Sequence, residues 1–260
     1  MALYIYDGSL EGFLTAVSLS LDSGSMPEDI VPASGWQSSL FSTPEIIETA
    51  PLAADQLITR LNALSRQIVR NICYCYLSEV AHYELSTAEY IFLAFKHGKD
   101  VDRYHANTAV NDVHRLSRKV GGEIHRLSGL VRFRKLSDES FWAPIEPDHN
   151  VVLPLAWHFA RRLPTQNWVI YDISRDTGVR WNTKECSTVS MDPAVVQRIR
   201  ISGADLPDLL SAEEIDCQKL WQNYFDSVSI EGRTNSTLQK SNMPRRYWKY
   251  LVEKPGHTVI

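Results

Sequence analysis

The sequence predicts an α+β fold with a mainly helical first half, an antiparallel sheet carrying one packed helix in the middle, and a helical C-terminus. Apolar residues recur at steps of three and four from Leu57 to Ile72 and from Val113 to Leu127, the period of helices with one buried face. In RLSGLVRFRKL the period falls to two, and further short runs up to Trp181 are separated by turn residues, as in hairpins. Strands joined by hairpins, not by helices throughout, argue against a doubly wound parallel sheet. At 260 residues, 44% hydrophobic and 22% charged, the chain is of ordinary globular composition. That excludes a mostly disordered or collagen-like chain. The length suffices to bury a core without disulfides or a structural metal.

The elements follow in order. Residues 2–6, ALYIY, read as an opening strand. Asp7-Gly8-Ser9 is a turn, and Ser9 can cap a helix from Leu10 to about Leu21. Ser, Gly and Pro recur from Asp22 to Pro44, with EDIVPA and SSLF as short strands within a connection. Pro51 suits a helix start, and the Leu57–Ile72 stripe is one long helix or two broken near Ser65. A further helix covers Thr87 to Lys96. Asn107 or Asn111 begins the next, which Gly121-Gly122 interrupts at about 1 kcal/mol per glycine. In RLSGLVRFRKL the alternation places Arg132 and Arg134 on one strand face, and Ser137-Asp138-Glu139 turns the chain into SFWAPI. Asp148 or Asn150 caps a helix with Val152, Leu155, Phe159 and Leu163 inward. NWVIYDI and GVRWN form a second hairpin, ECSTV adds a strand, and Ala212–Ser227 is a helix. Two lobes are expected, residues 1–105 and 106–260, able to fold as one unit.

Charge is uneven. Residues 1–100 carry 12 acids and 5 bases, net −7, and residues 101–180 carry 9 acids and 12 bases, net +3. Between Arg103 and Lys135 eight bases face only Asp112 and Glu123. This asymmetry points to an anionic partner for the middle of the chain. Cys73, Cys75, Cys186 and Cys217 match no disulfide framework, zinc ribbon or iron–sulfur spacing. Reduced thiols fit the cytoplasm. No run approaches the ~20 apolar residues of a membrane span, and the N-terminus lacks the charged start of a signal peptide. Dinucleotide, P-loop, zincin, nucleophile-elbow and zinc-deaminase patterns are all absent, so no cofactor or metal is expected.

Two constellations carry chemistry. In IEPDHN, Glu146, Asp148 and His149 lie between a strand end and a helix start, where acid/base side chains converge; Asp172 is a second carboxylate at a strand end. Glu146, His149 and Asp172 are therefore the catalytic candidates. The binding candidates are Arg115, Arg118 and Lys119 on a helix face, Arg126, Arg132 and Arg134, Arg161 and Arg162, and the tail Arg245, Arg246, Tyr247 and Trp248. Guanidinium forks suit phosphate, and aromatic rings suit unstacked bases. Each set also has a plainer expectation: Asp148 as a cap, Trp248 as an anchor in the core.

YDGSLEGFLTAV, HRLSGLVRFRKL with FWAPIEPDHNVVLPLAWHFARRLPTQNWVIYDISR, and NSTLQKSNMPRRYWKYLVE resemble an uncharacterised bacterial family described as a probable DNA metabolism protein. Members are typically encoded beside a radical-SAM protein of DNA modification or repair, and in some bacteria a similar region is fused to an iron–sulfur uracil-DNA glycosylase domain. The resemblance implies a DNA repair or modification accessory protein, partnered by a radical-SAM enzyme. It supplies no catalytic residue, and Asp22–Pro44 and Lys184–Ala212 depart from the family pattern. The alternatives are an enzyme acting on a DNA base or glycosidic bond, and a structural partner whose arginines pair internally.

Overall fold

The computed structural model describes residues 2–36, 44–202, 208–228 and 235–254, and the fold is α+β. The chain divides into two compact units, Met1–Gly121 and Gly122–Ile260.

The first unit opens with β1 (Leu3–Tyr6), followed by α1 (Leu10–Ser23) and β2 (Asp29–Pro32). Ser9 caps α1 by accepting the Gly12 amide at 2.9 Å, while its own hydroxyl donates to Asp7. With β3 (Glu45–Ile46) these strands form a parallel sheet in the order β2-β1-β3. Leu57, Leu61, Ile68 and Ile72 are fully buried, but on two helices, α2 (Pro51–Leu64) and α3 (Arg66–Leu77). Ser65 lies extended between them and its side chain accepts the Gln67 amide, capping α3. α4 (Tyr83–His97) and a 3₁₀ segment (Gly98–Arg103) complete the packing. SSLF lies outside the described residues.

α5 (Thr108–Leu130) begins in the first unit and ends in the second. Asn107 caps it through the Val110 amide. Gly121-Gly122 does not interrupt it. The reason for a glycine is a side chain: a Cβ at Gly121 would lie 3.2 Å from the Tyr74 ring.

The second unit holds a five-stranded sheet in sequence order, β4 (Arg134–Lys135), β5 (Phe141–Ile145), β6 (Trp168–Asp172), β7 (Thr177–Trp181) and β8 (Cys186–Val189). Three of its pairings are antiparallel, but β5 and β6 run parallel from Phe141↔Trp168 to Ile145↔Asp172. The cause is α6 (Val152–Arg162), a crossover helix that returns the chain to the same end of the sheet. The N-cap position falls on Val151, which makes no side-chain cap, and not on Asp148 or Asn150. Val152, Leu155, Ala156 and Phe159 are its buried stripe. A helix not foreseen in the sequence, α7 (Pro193–Ser202), places Val196 and Ile199 against Trp142, Tyr171 and Tyr250. α8 (Ala212–Ser227), α9 (Ser236–Asn242) and a 3₁₀ turn (Arg245–Tyr250) follow.

Candidate functional site

The IEPDHN loop, between β5 and α6, is held from three sides within the second unit. Glu123 of α5 is only 1% exposed. Its carboxylate accepts the backbone amides of Asp148 (3.0 Å) and His149 (2.9 Å) and the Tyr247 hydroxyl. Arg246 reaches the same carboxylate and pairs with Asp148 at 2.8 Å. From the β6–β7 turn, Arg175 donates to the carbonyls of Pro147 and Asp148 and pairs with Asp172. Glu146 accepts the Tyr250 hydroxyl at 2.8 Å, with Lys249 and Ser174 also in reach. Glu123, Arg175 and Tyr250 are absent from the sequence-predicted set. The lone acid after Gly121-Gly122, in a basic helix, was the signal for Glu123.

The electrostatics separate the three catalytic candidates. Asp172 is fully buried, and burial raises its pKa although Arg175 pulls the other way. One of its oxygens takes the Ser174 and Arg175 amides and the other takes the Arg175 guanidinium. That carboxylate closes the turn and aims Arg175 at the loop. Glu146 remains over a third exposed, so of the two candidate carboxylates it is the one that faces solvent. His149 is fixed through its backbone by Glu123. Burial and the Glu123 hydrogen bond push the Tyr247 hydroxyl up to about 12, so it stays a donor at neutral pH.

The arginine face expected on the β4 strand does not form. Arg132 precedes the strand and pairs with Glu253, itself 6% exposed. Arg134 is 2% exposed and donates to the Tyr250 carbonyl at 3.0 Å. Tyr247 and Trp248 are also buried, and the Trp248 indole donates to Met243. The reason is the apolar area of Tyr247, Trp248 and Tyr250: sinking three rings stabilises the fold by more than solvating two arginines. Arg126 is half-buried, and its Nε has no hydrogen-bond partner among the described residues. Arg115, Arg118, Lys119, Arg161, Arg162, Arg245 and Arg246 are exposed. Of these, Arg115 pairs with Asp112, and Arg246 serves the loop clamp.

α6 presents a different arrangement. Trp157 is 57% exposed, Leu153 one turn before it is also exposed, and Arg161 stands one turn after it. Residues four apart share a helix face, so the three form a stripe, with Arg162 alongside. Neither Arg161 nor Arg162 has a carboxylate partner among the described residues. The pair and burial together lower the pKa of His158, burial contributing most. Trp157 was legible: once Val152, Leu155 and Phe159 face inward, position 157 points outward.

Residues 82–253 match the model of a family described as a domain of unknown function, DUF4130. The chain belongs to that family. Its DUF4130 segment includes every candidate residue from Arg115 to Trp248 and ends at Glu253, the partner of Arg132. No curated protein and no solved structure matches the chain. Among the described residues no group of three or more His, Cys, Asp or Glu side chains is placed to hold a metal ion, and no helix is long and apolar enough to cross a membrane.

Proposed function

We propose that this DUF4130 protein is a DNA repair or modification accessory protein that binds DNA through the outer face of α6 and acts beside a radical-SAM enzyme. The observation that carries the DNA contact is Trp157, exposed one helical turn from Arg161, which has no carboxylate partner among the described residues. An exposed indole offers a flat face to an unstacked base, and the two guanidinium groups offer donors to the phosphates on either side. Leu153 extends the apolar platform. The radical-SAM partner rests on the three sequence blocks and their resemblance to a DNA metabolism family.

The test is binding of a fluorescent single-stranded oligonucleotide, with and without the radical-SAM protein. Trp157→Ala is expected to weaken binding by about 1–3 kcal/mol, the contribution of one stacked base, without lowering the melting temperature. Unchanged affinity in that variant removes α6 as the interface. Independent elution of the two folded proteins in size-exclusion chromatography, with or without DNA, removes the partnership.

A reaction at a DNA base or glycosidic bond would rest on Glu146 and His149, since Asp172 is committed to Arg175. The half-open Glu146 carboxylate, bonded to Tyr250, is the observation favouring this second reading.

A further inference from the structure

The five-stranded sheet of the second unit has two unlike edges. At β4 the outward groups of Lys135 are taken: its amide donates to Glu214 at 3.0 Å and its carbonyl accepts the Ser211 amide at 3.0 Å. The cover continues in a bridge between Leu136 and Leu210 and in the Ser137 amide on the Leu209 carbonyl. At the opposite edge β8 pairs with β7 and with no other strand.

Which groups of β8 face outward follows from the hairpin that starts it. The Asn182 amide donates to the Glu185 carbonyl at 3.3 Å, so these two residues are a hydrogen-bonded pair. In an antiparallel ladder such pairs alternate with non-bonded ones. The register is Trp181↔Cys186, Arg180↔Ser187, Val179↔Thr188 and Gly178↔Val189. Ser187 and Val189 therefore bond to β7, while the N–H and C=O groups of Cys186 and Thr188 point away from it. Among the described residues these four outward groups have no hydrogen-bond partner. Ser187 and Thr188 are exposed. Edge strands are commonly guarded by a charge, a proline or a bulge. The four residues of β8, CSTV, hold no charge and no proline, and their register runs without a bulge.

We propose that the outer edge of β8 is an interface, and that its occupant is β8 of a second copy of this chain, paired antiparallel about a twofold axis at Ser187. A row of alternating donors and acceptors is matched by an extended strand, and β8 is complementary to itself. The axis sets Cys186 of each copy opposite Thr188 of the other, so the outward groups of both copies are used up in four hydrogen bonds. Ser187 meets its own counterpart and Glu185 comes opposite Val189, so no like charges face each other. The helices leave the edge clear. α7 packs on Trp142 and Tyr171, and α6 sets Phe159 against Phe133, which meets Trp168; both cover strands inside β8. A twofold between antiparallel strands stands perpendicular to the sheet, so the joined sheet carries both α6 helices on one face. Two four-residue edges bury less than a standard interface, which makes the dimer concentration-dependent.

The experiment is sedimentation velocity of the full chain over a wide range of concentration, without DNA, so that its outcome is separate from that of the α6 reading. Wild-type protein is expected to move from monomer towards dimer as concentration rises. Thr188→Pro removes an outward N–H and leaves the bonds to β7, a place where an edge strand tolerates proline. This variant is expected to stay monomeric with the wild-type melting temperature. Ser187→Cys tests the register in a Cys217→Ser background, since Cys217 is an exposed thiol. It brings two thiols together on the axis at a non-bonded pair, where Cα atoms lie about 4.5 Å apart, within disulfide reach. Mild oxidation is expected to give a covalent dimer that the Cys217→Ser protein alone does not. Wild-type protein that is monomeric at every concentration overturns the proposal and leaves β8 to an extended segment of another protein. A Thr188→Pro variant that dimerises as wild type does, or no covalent dimer from Ser187→Cys, overturns it as well.

Discussion

Tyr247 donates its hydroxyl to Glu123 across 124 residues of sequence, and both side chains are buried. Through this bond the C-terminal 3₁₀ turn reaches the carboxylate that also holds the Asp148 and His149 amides. The IEPDHN loop is therefore positioned by α5 and by the tail together. Its shape depends on residues from both ends of the second unit.

Loss of that carboxylate leaves two amides and a hydroxyl without their acceptor. Glu123→Ala is expected to destabilise the protein by about 3 kcal/mol, and Tyr247→Phe by about 1 kcal/mol, because the second removes the hydroxyl's bonds to Glu123 and from Arg246 but leaves the two amides their acceptor. Urea unfolding followed by tryptophan fluorescence measures both. Equal losses in the two variants would show that the backbone amides contribute little.

Arg132 and Glu253 make the second prediction, and its sign follows from Glu253. Burial opposes ionisation of Glu253, but hydrogen bonds from Arg132 and Trp221 and the Arg132 charge outweigh it and lower its pKa. A carboxylate with a depressed folded pKa contributes stability above its ordinary unfolded value, and loses it as the pH falls through the folded pKa. Arg132→Ala is expected to cost about 3 kcal/mol at neutral pH, as breaking a buried pair does, and less in acid. Thermal melts from neutral pH down to acid check this. A constant difference at all pH values would assign the loss to packing of the arginine stem.

For the α6 face, removing Arg161 and Arg162 together is expected to weaken DNA binding alike for all sequences, because phosphate contacts carry no sequence information. The slope of log affinity against log salt should fall by roughly one unit per lost contact. The parallel double variant at Arg132 and Arg134 is expected instead to lower the melting temperature, since Arg134 is 2% exposed. A salt titration and a melt on each double variant separate these outcomes.

Gly178 tests the β6–β7 hairpin beneath the Asp172 turn. A Cβ there would lie 2.5 Å from the Tyr171 ring and 2.8 Å from the Ile170 carbonyl. The backbone oxygen cannot swing aside as a side-chain end can, so Gly178→Ala is expected to cost about 1–3 kcal/mol. Urea unfolding measures it. A variant as stable as the parent would mean that the strand shifts freely at this position.

Much of the fold was legible because hydrophobic period and turn chemistry are local. The stripes at Leu57–Ile72 and Val113–Leu127, the Ser9 cap and the hairpin around SRDTG could each be read within a short window of sequence. They determined the α+β class, the helix faces and the strand positions. The inward stripe of α6 likewise implied that Trp157 faces water.

The fate of the arginines was a tertiary matter. Alternation puts Arg132 and Arg134 on one face of an ideal strand, but β4 begins only at Arg134. Whether that face is wet depends on Tyr250 and Glu253, more than 110 residues away. The same holds for Glu123 and the parallel pairing of β5 with β6. A buried charge is set by the partners that packing brings to it, and strand direction by the path of the connecting helix. Sequence by itself thus determined which residue types were on hand and the local shape of each element. Only the tertiary structure decided which charges were consumed in holding the fold and which were left facing solvent, because that depends on burial and on pairing across long separations.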